Sequence, residues 1–162
     1  MKRKVVNILL CIAALAPVLL SGCRSAKLSD ADEQYARGEY HAAMLTYKKI
    51  YNKLTRREER QQRGVVAFRL GECYRHLNMA ANASGAYRNA LRYNYPDSMA
   101  LLYLAQSQHM EGKYKEAIKS YEQFLEKAPK NVLARDGLRG SQTAARIQAN
   151  PTRHAGAARN VT

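Results

Sequence analysis

Few residues in this chain are spaced for chemistry, and the most telling of them is a cysteine. Lys2, Arg3 and Lys4 open the sequence, an apolar run extends from Val5 to Leu20, and Ser21-Gly22 lead into Cys23. A basic start, a short apolar core and small residues at a cut site are the parts of an export signal. Val5 to Leu20 contains Asn7 and Pro17 and is shorter than the roughly 20 residues a spanning helix needs, which disfavours a retained anchor. Elsewhere the residue types that do chemistry are scattered. His41, His76, His109 and His154 show no metal-ligand spacing and stand beside no nucleophile motif. There is no glycine-rich phosphate loop and no carboxylate pair. The expectation is a non-enzymatic protein with no catalytic residues, no metal, no cofactor and no small-molecule substrate.

Leu20-Ser21-Gly22-Cys23 resembles the lipobox of bacterial lipoproteins. The resemblance implies that the Cys23 sulfur receives a diacylglycerol, that the chain is cut between Gly22 and Cys23, and that the new amino terminus is acylated. Acyl chains contribute about 0.8 kcal/mol per buried methylene, so three of them hold a protein on a membrane without a spanning helix. Residues 1–22 are then the signal peptide, 23–28 a lipid-anchored linker, and everything beyond is tethered but soluble. The competing reading is an ordinary cleaved signal with a coincidental cysteine.

The full chain has 27 basic and 13 acidic residues; loss of residues 1–22 removes three basic ones and leaves a formal charge of +11. Such an excess suggests nucleic acid, yet the sequence has no RNP aromatics, zinc-ligand spacing or dedicated basic arm, and nucleic acid is not an expected partner. Anionic lipid heads, acidic glycans and acidic protein surfaces are within reach of an exported lipoprotein. Cys11 leaves with the signal and Cys23 is consumed by lipid, so Cys73 remains alone and forms no intramolecular disulfide. Its place between Leu70 and Leu77 suits a small buried hydrophobe.

The remaining sequence is periodic. Gly38-Glu39-Tyr40 is followed by Ala43 and Tyr47; Asn78-Met79-Ala80 by Ala83 and Tyr87; Gly112-Lys113-Tyr114 by Ala117, Tyr121 and Pro129. The turn positions 38, 78 and 112 are 40 and 34 residues apart. Glycine and asparagine tolerate the left-handed conformation that closes a helix. The alanines suit a close crossing of two helices, and the tyrosines fill the gap to the next pair. The pattern resembles the tetratricopeptide repeat, whose period is 34 residues. Leu70-Gly71 with Tyr74, and Leu104-Ala105, supply the matching first helices. The resemblance implies an all-α solenoid of about three helix pairs with a C-terminal capping helix, over residues 29–148.

Asn52 to Gln62 is polar and helix-favouring, and is expected to lengthen the second helix of the first pair or the first helix of the second as a solvated extension. Asn131 is placed to cap a last helix reaching about Gln148, with Leu133, Gly137, Gly140 and Ala144 on one side. Residues 149–162 lack periodicity and are expected to be a disordered tail.

The working surface of such a solenoid is the inner face lined by the first helices. Helical spacing puts Glu72, Arg75 and His76 on that face from the second pair, and Gln106, His109 and Met110 from the third; Tyr35 is their counterpart in the first. A mixed groove of this kind suits an extended or helical peptide. Some tetratricopeptide domains grip a terminal carboxylate with asparagines at fixed inner positions, which Glu72 and Gln106 occupy here, so chaperone-tail binding is not expected. Asp97-Ser98-Met99 resembles the acceptor of a periplasmic O-glycosylation system, with Ser98 as the modified residue, but Asp97 or Ser98 as a helix cap explains the same residues.

The order of lipobox, Arg24 to Asp32, three repeats and Asn150-Pro151-Thr152-Arg153 resembles the amino-terminal region of OmpA-type outer-membrane lipoproteins, which join tetratricopeptide repeats to a β-propeller and a peptidoglycan-binding domain. Some members serve the type IX secretion apparatus. The resemblance implies a lipid-anchored, periplasm-facing outer-membrane adaptor for envelope or secretion-apparatus proteins. Peptidoglycan binding does not carry over, because no residues match that domain. The alternatives are a truncated remnant of a larger lipoprotein, and an outer-membrane assembly factor that binds unfolded clients.

Overall fold

A computed structural model of the chain describes residues 27–55 and 57–150. The signal peptide, the lipidation site Cys23 and the tail from residue 151 lie outside the described residues. Seven α-helices run through the described part: α1 (Leu28–Ala36), α2 (Tyr40–Lys53), α3 (Arg60–His76), α4 (Ala80–Arg92), α5 (Met99–Met110), α6 (Tyr114–Lys127) and α7 (Val132–Ala149). Each packs chiefly on its neighbours in sequence, giving an up-and-down solenoid of three pairs, α1/α2, α3/α4 and α5/α6, closed by α7. No described helix is long and apolar enough to cross a membrane.

The turns form as their residues dictate. Gly38, Asn78 and Gly112 have φ of +77°, +56° and +74°. In each turn the next amide reaches back to the last helical turn: Glu39 N–H to Gln34 O, Met79 N–H to Tyr74 O and Lys113 N–H to Gln108 O, all at 2.9 Å. The link between the second and third pairs uses the same device at Asn94, φ +57°, which the repeat pattern did not reveal. Asp97 then accepts a hydrogen bond from Met99 N–H at 2.8 Å and caps α5, as its sequence suggests. Asn131 accepts from Ala134 N–H at 2.9 Å and caps α7.

The repeated alanines and tyrosines make the core. Ala43, Ala83 and Ala117 are fully buried, and Tyr47, Tyr87 and Tyr121 are 0–3% exposed. Tyr47 and Tyr87 are not simply apolar fillers. Tyr47 Oη donates to Asp32 and Tyr87 Oη to Glu72, each at 2.5 Å. Both hydroxyls are held neutral well above the ordinary tyrosine range, first by burial and then by the carboxylate they bond. Cys73 is fully buried in the same core, and burial pushes its thiol up to about 12, so it packs rather than reacts.

Two expectations need correction. The polar stretch at Asn52–Gln62 does not simply lengthen a helix: α2 stops at Lys53, Leu54 turns inward to be 7% exposed, and a 3₁₀ turn (Arg57–Glu59) precedes α3. The apolar Leu54 wins a place in the core at the expense of helical continuity, and only the Arg60–Gln62 part extends α3. In α7 the inward face is rotated from the expected one. Ala134 and Ser141 are buried and Gly137 lies against Tyr121, whereas Leu133 is 58% exposed. The bulky Tyr121 ring admits only a glycine opposite it, which fixes the rotation of α7. That helix also continues to Ala149, one residue past its expected end at Gln148.

Candidate functional site

The first helices α1, α3, α5 and α7 line one face, and three levels of side chains cover it. Tyr35, Glu72, Arg75 and His76 form one cluster. The Arg75 guanidinium donates to Glu72 through Nε at 3.2 Å and Nη2 at 3.0 Å. Tyr35 Oη donates to Glu72 Oε2 at 3.4 Å and lies 3.3 Å from His76 Nε2. Glu72 is only 7% exposed and also accepts from Tyr87 on α4. Its part in the groove is therefore to hold Arg75 and Tyr35 in place from below, not to present a free carboxylate. The doubly bonded carboxylate keeps the Arg75 guanidinium charged, well above its ordinary range.

Arg75 also links this cluster to the next level. Its guanidinium carbon stands 4.8 Å from the centre of the Tyr103 ring on α5, a cation–π contact. Beyond it, a cleft of about 390 Å³ is lined by Arg75, Asn78, Gln106, Ser107, His109, Met110 and Tyr121. Four of the residues expected in the groove, Arg75, Gln106, His109 and Met110, thus share one cavity, while Tyr35, Glu72 and His76 form its neighbour on the first-pair side. His109 Nδ1 is 2.8 Å from Ser141 Oγ on α7, and its ring meets Tyr114 edge-on at 5.2 Å. The capping helix therefore fixes the His109 ring. Met110 is 60% exposed at the rim. Ser98 is partly buried at the head of α5, away from this cleft.

Several groove residues escaped the sequence reading. Tyr40 stacks on His76 with ring centres 4.0 Å apart and planes 3° from parallel. Arg69 lies 4.0 Å from Asp32 and 5.9 Å from the Tyr35 ring centre. Beneath them, in the core, Phe68 stacks on Tyr95 at 4.4 Å. The signal for Arg69, and for Tyr103 beneath Arg75, was present: they precede Glu72 and Gln106 by three residues, about one helical turn, and so share their face. The arrangement offers a fixed cation, aromatic surface, and donors and acceptors from Gln106 and His109, beside an adaptable thioether. Those are means of gripping a polypeptide. Among the described residues no group of three or more His, Cys, Asp and Glu is placed to hold a metal.

The helix order, the turns and the Ala–Tyr core define an all-α tetratricopeptide-repeat solenoid. The family described as tetratricopeptide repeat matches residues 66–98 and 99–131, which run from Val66 within α3 to the end of the third pair and the turn after it. The fold is similar to that of the first tetratricopeptide domain of Spaghetti (RPAP3) solved with the HSP90 peptide SRMEEVD, at 24% identity and a TM-score of 0.58 over 72% of this chain and 88% of that one. It is also similar to the NMR structure of the first tetratricopeptide domain of human RPAP3, at 23% identity and a TM-score of 0.61 over 75% of this chain and 91% of that one. No curated protein sequence matches the chain.

Proposed function

We propose that this protein is a membrane-tethered adaptor. Lipidated at Cys23 and facing the periplasm from the outer membrane, it holds envelope or secretion-apparatus proteins through a peptide segment laid along the α1, α3, α5 face. The observation that carries the binding half is the cleft of about 390 Å³ where Arg75, Gln106, His109 and Met110 converge. Arg75 is aimed by Glu72 and Tyr103 before any ligand arrives, which lowers the ordering cost of binding. Met110 supplies a pliable apolar contact. Tetratricopeptide folds serve protein–protein contacts in general, and a fold neighbour was solved holding a peptide. The tether and its compartment rest on Leu20-Ser21-Gly22-Cys23. The protein acts by assembling partners and not by transforming a substrate.

Two measurements test the two halves separately. Labelled fatty acid should enter the protein and fail to enter Cys23→Ala; label that persists in Cys23→Ala would end the tether. Crosslinked capture from the envelope should recover a small defined set of proteins. Arg75→Glu with His109→Glu should reduce their yield on the order of tenfold, the effect of losing groove anchors. An unchanged set would end the groove reading.

A further inference from the structure

The two ends of the solenoid differ in how their cations are used. The helices alternate in direction, so one end carries the turns at Gly38, Asn78 and Gly112. The other carries the start of α1, the end of α2, the start of α3 and the end of α4. Direct contacts tie these last segments together: Arg63 donates to Leu54 O at 2.6 Å, and Arg60 donates to Arg92 O at 3.1 Å. At the turn end Arg37 is neutralised by Glu33 and Glu39, Arg75 by Glu72, and Lys113 by Glu111, which leaves Lys115 exposed without an ion pair among the described residues. At the opposite end Lys53, Arg57, Arg60 and Arg92 are exposed, and none of them forms an ion pair among the described residues. Between Tyr40 and Tyr95 the sequence has eleven Lys and Arg, and its only acidic residues are Glu58, Glu59 and the buried Glu72.

This end also carries Leu28, the first residue of α1, to which Cys23 is joined through a few intervening residues. Leu28 packs into the same core cluster as Leu54, and the five steps from Cys23 to Leu28 span at most about 18 Å. We propose that the Lys53–Arg57–Arg60–Arg92 end is a docking surface for anionic lipid headgroups, which holds the solenoid upright on the membrane with its turn end outward. The inference rests on the Cys23 tether proposed above. Charge complementarity supports it, because basic side chains within about a Debye length, roughly 8 Å at physiological salt, feel an anionic bilayer surface strongly. A tether of at most about 18 Å, roughly two Debye lengths, lets them settle on that surface, and the lipid anchor and the basic surface then act as two signals for one membrane.

The chain contains no tryptophan, so one introduced residue reports its own position. Gln61→Trp marks the basic end and Met79→Trp the turn end; the 17 residues of α3 separate them by about 25 Å. The full protein, recovered from cell membranes, is reconstituted into vesicles with a dansyl-labelled headgroup lipid, and its intact mass records whether Cys23 carries lipid. In vesicles containing phosphatidylglycerol, energy transfer from Gln61→Trp should exceed that from Met79→Trp by about threefold or more. It should fall in phosphatidylcholine alone or at high salt. Added to the Gln61→Trp reporter, Lys53→Glu, Arg57→Glu, Arg60→Glu and Arg92→Glu together should abolish the difference. Arg57→Lys with Arg60→Lys and Arg92→Lys should keep it, which separates charge from folding. Equal transfer from both ends, or transfer indifferent to lipid charge and salt in a protein whose mass shows the Cys23 lipid, overturns the docking surface. An end that serves an acidic protein gives that same result. A mass without lipid, with transfer still dependent on charge, overturns the tether and leaves the docking surface standing.

Discussion

Gly71→Val should cost about 3 kcal/mol or more of folding stability, measured by urea or thermal unfolding of the purified protein, because the site has no room for a side chain. A Cβ built on Gly71 stands 2.5 Å from Cε1 and 2.7 Å from Cδ1 of Tyr87. The ring cannot retreat cheaply: Tyr87 is fully buried and its hydroxyl is bonded to Glu72. Gly71→Ala should be milder, since overpacking of about 1–3 kcal/mol is offset by about 1 kcal/mol of helix propensity. Gly85, in the adjoining α4, is the control. Nothing lies within 4 Å of its Cβ position, so Gly85→Ala should stabilise by about 0.5–1 kcal/mol. Equal effects at the two glycines would show that α3 and α4 do not cross as described.

Glu72→Ala should cost about 2–4 kcal/mol and should weaken partner capture as well. One carboxylate accepts from Tyr87, Tyr35 and twice from Arg75, and its removal strands a buried hydroxyl and a partly buried guanidinium. Glu72→Gln keeps an acceptor for Tyr87 but loses the charge that aims Arg75. It should retain much of the stability and little of the capture. A double-mutant cycle of Glu72→Ala with Tyr87→Phe isolates the bond between α3 and α4, and a coupling of about 0.5–3 kcal/mol is expected. Additive losses would show that the two side chains do not meet.

These two residues also mark how far the sequence could be read. Helix pairs, turns and the Ala–Tyr core were legible because each rests on local chemistry: a left-handed turn residue at 38, 78 and 112, and a methyl and a ring at fixed helical spacing. Glu72 was legible as facing the groove but not as buried, because its partner Tyr87 lies on the neighbouring helix and spacing along one helix does not report depth. The rotation of α7 was hidden for the same reason. Leu133 is the more apolar residue, yet the position of Gly137 against Tyr121 decides which face turns in. The break at Leu54 depended on competition between a polar helix-forming stretch and one buried leucine, which propensity alone resolves wrongly. The sharing of one cleft by Arg75 and His109 required the offset between successive pairs, a quantity that tertiary packing sets.

The central claim is that partners are held on the α3/α5 face. The most direct test places a photo-crosslinking residue at Gln106 in the cleft and, separately, at Asn82 on the exposed surface of α4, in cells that make the protein at its normal level. Adducts of defined mass from Gln106, lost when Arg75→Glu is added, with none of them from Asn82, are the predicted result. Adducts from Asn82 alone, or Gln106 adducts untouched by Arg75→Glu, would contradict it.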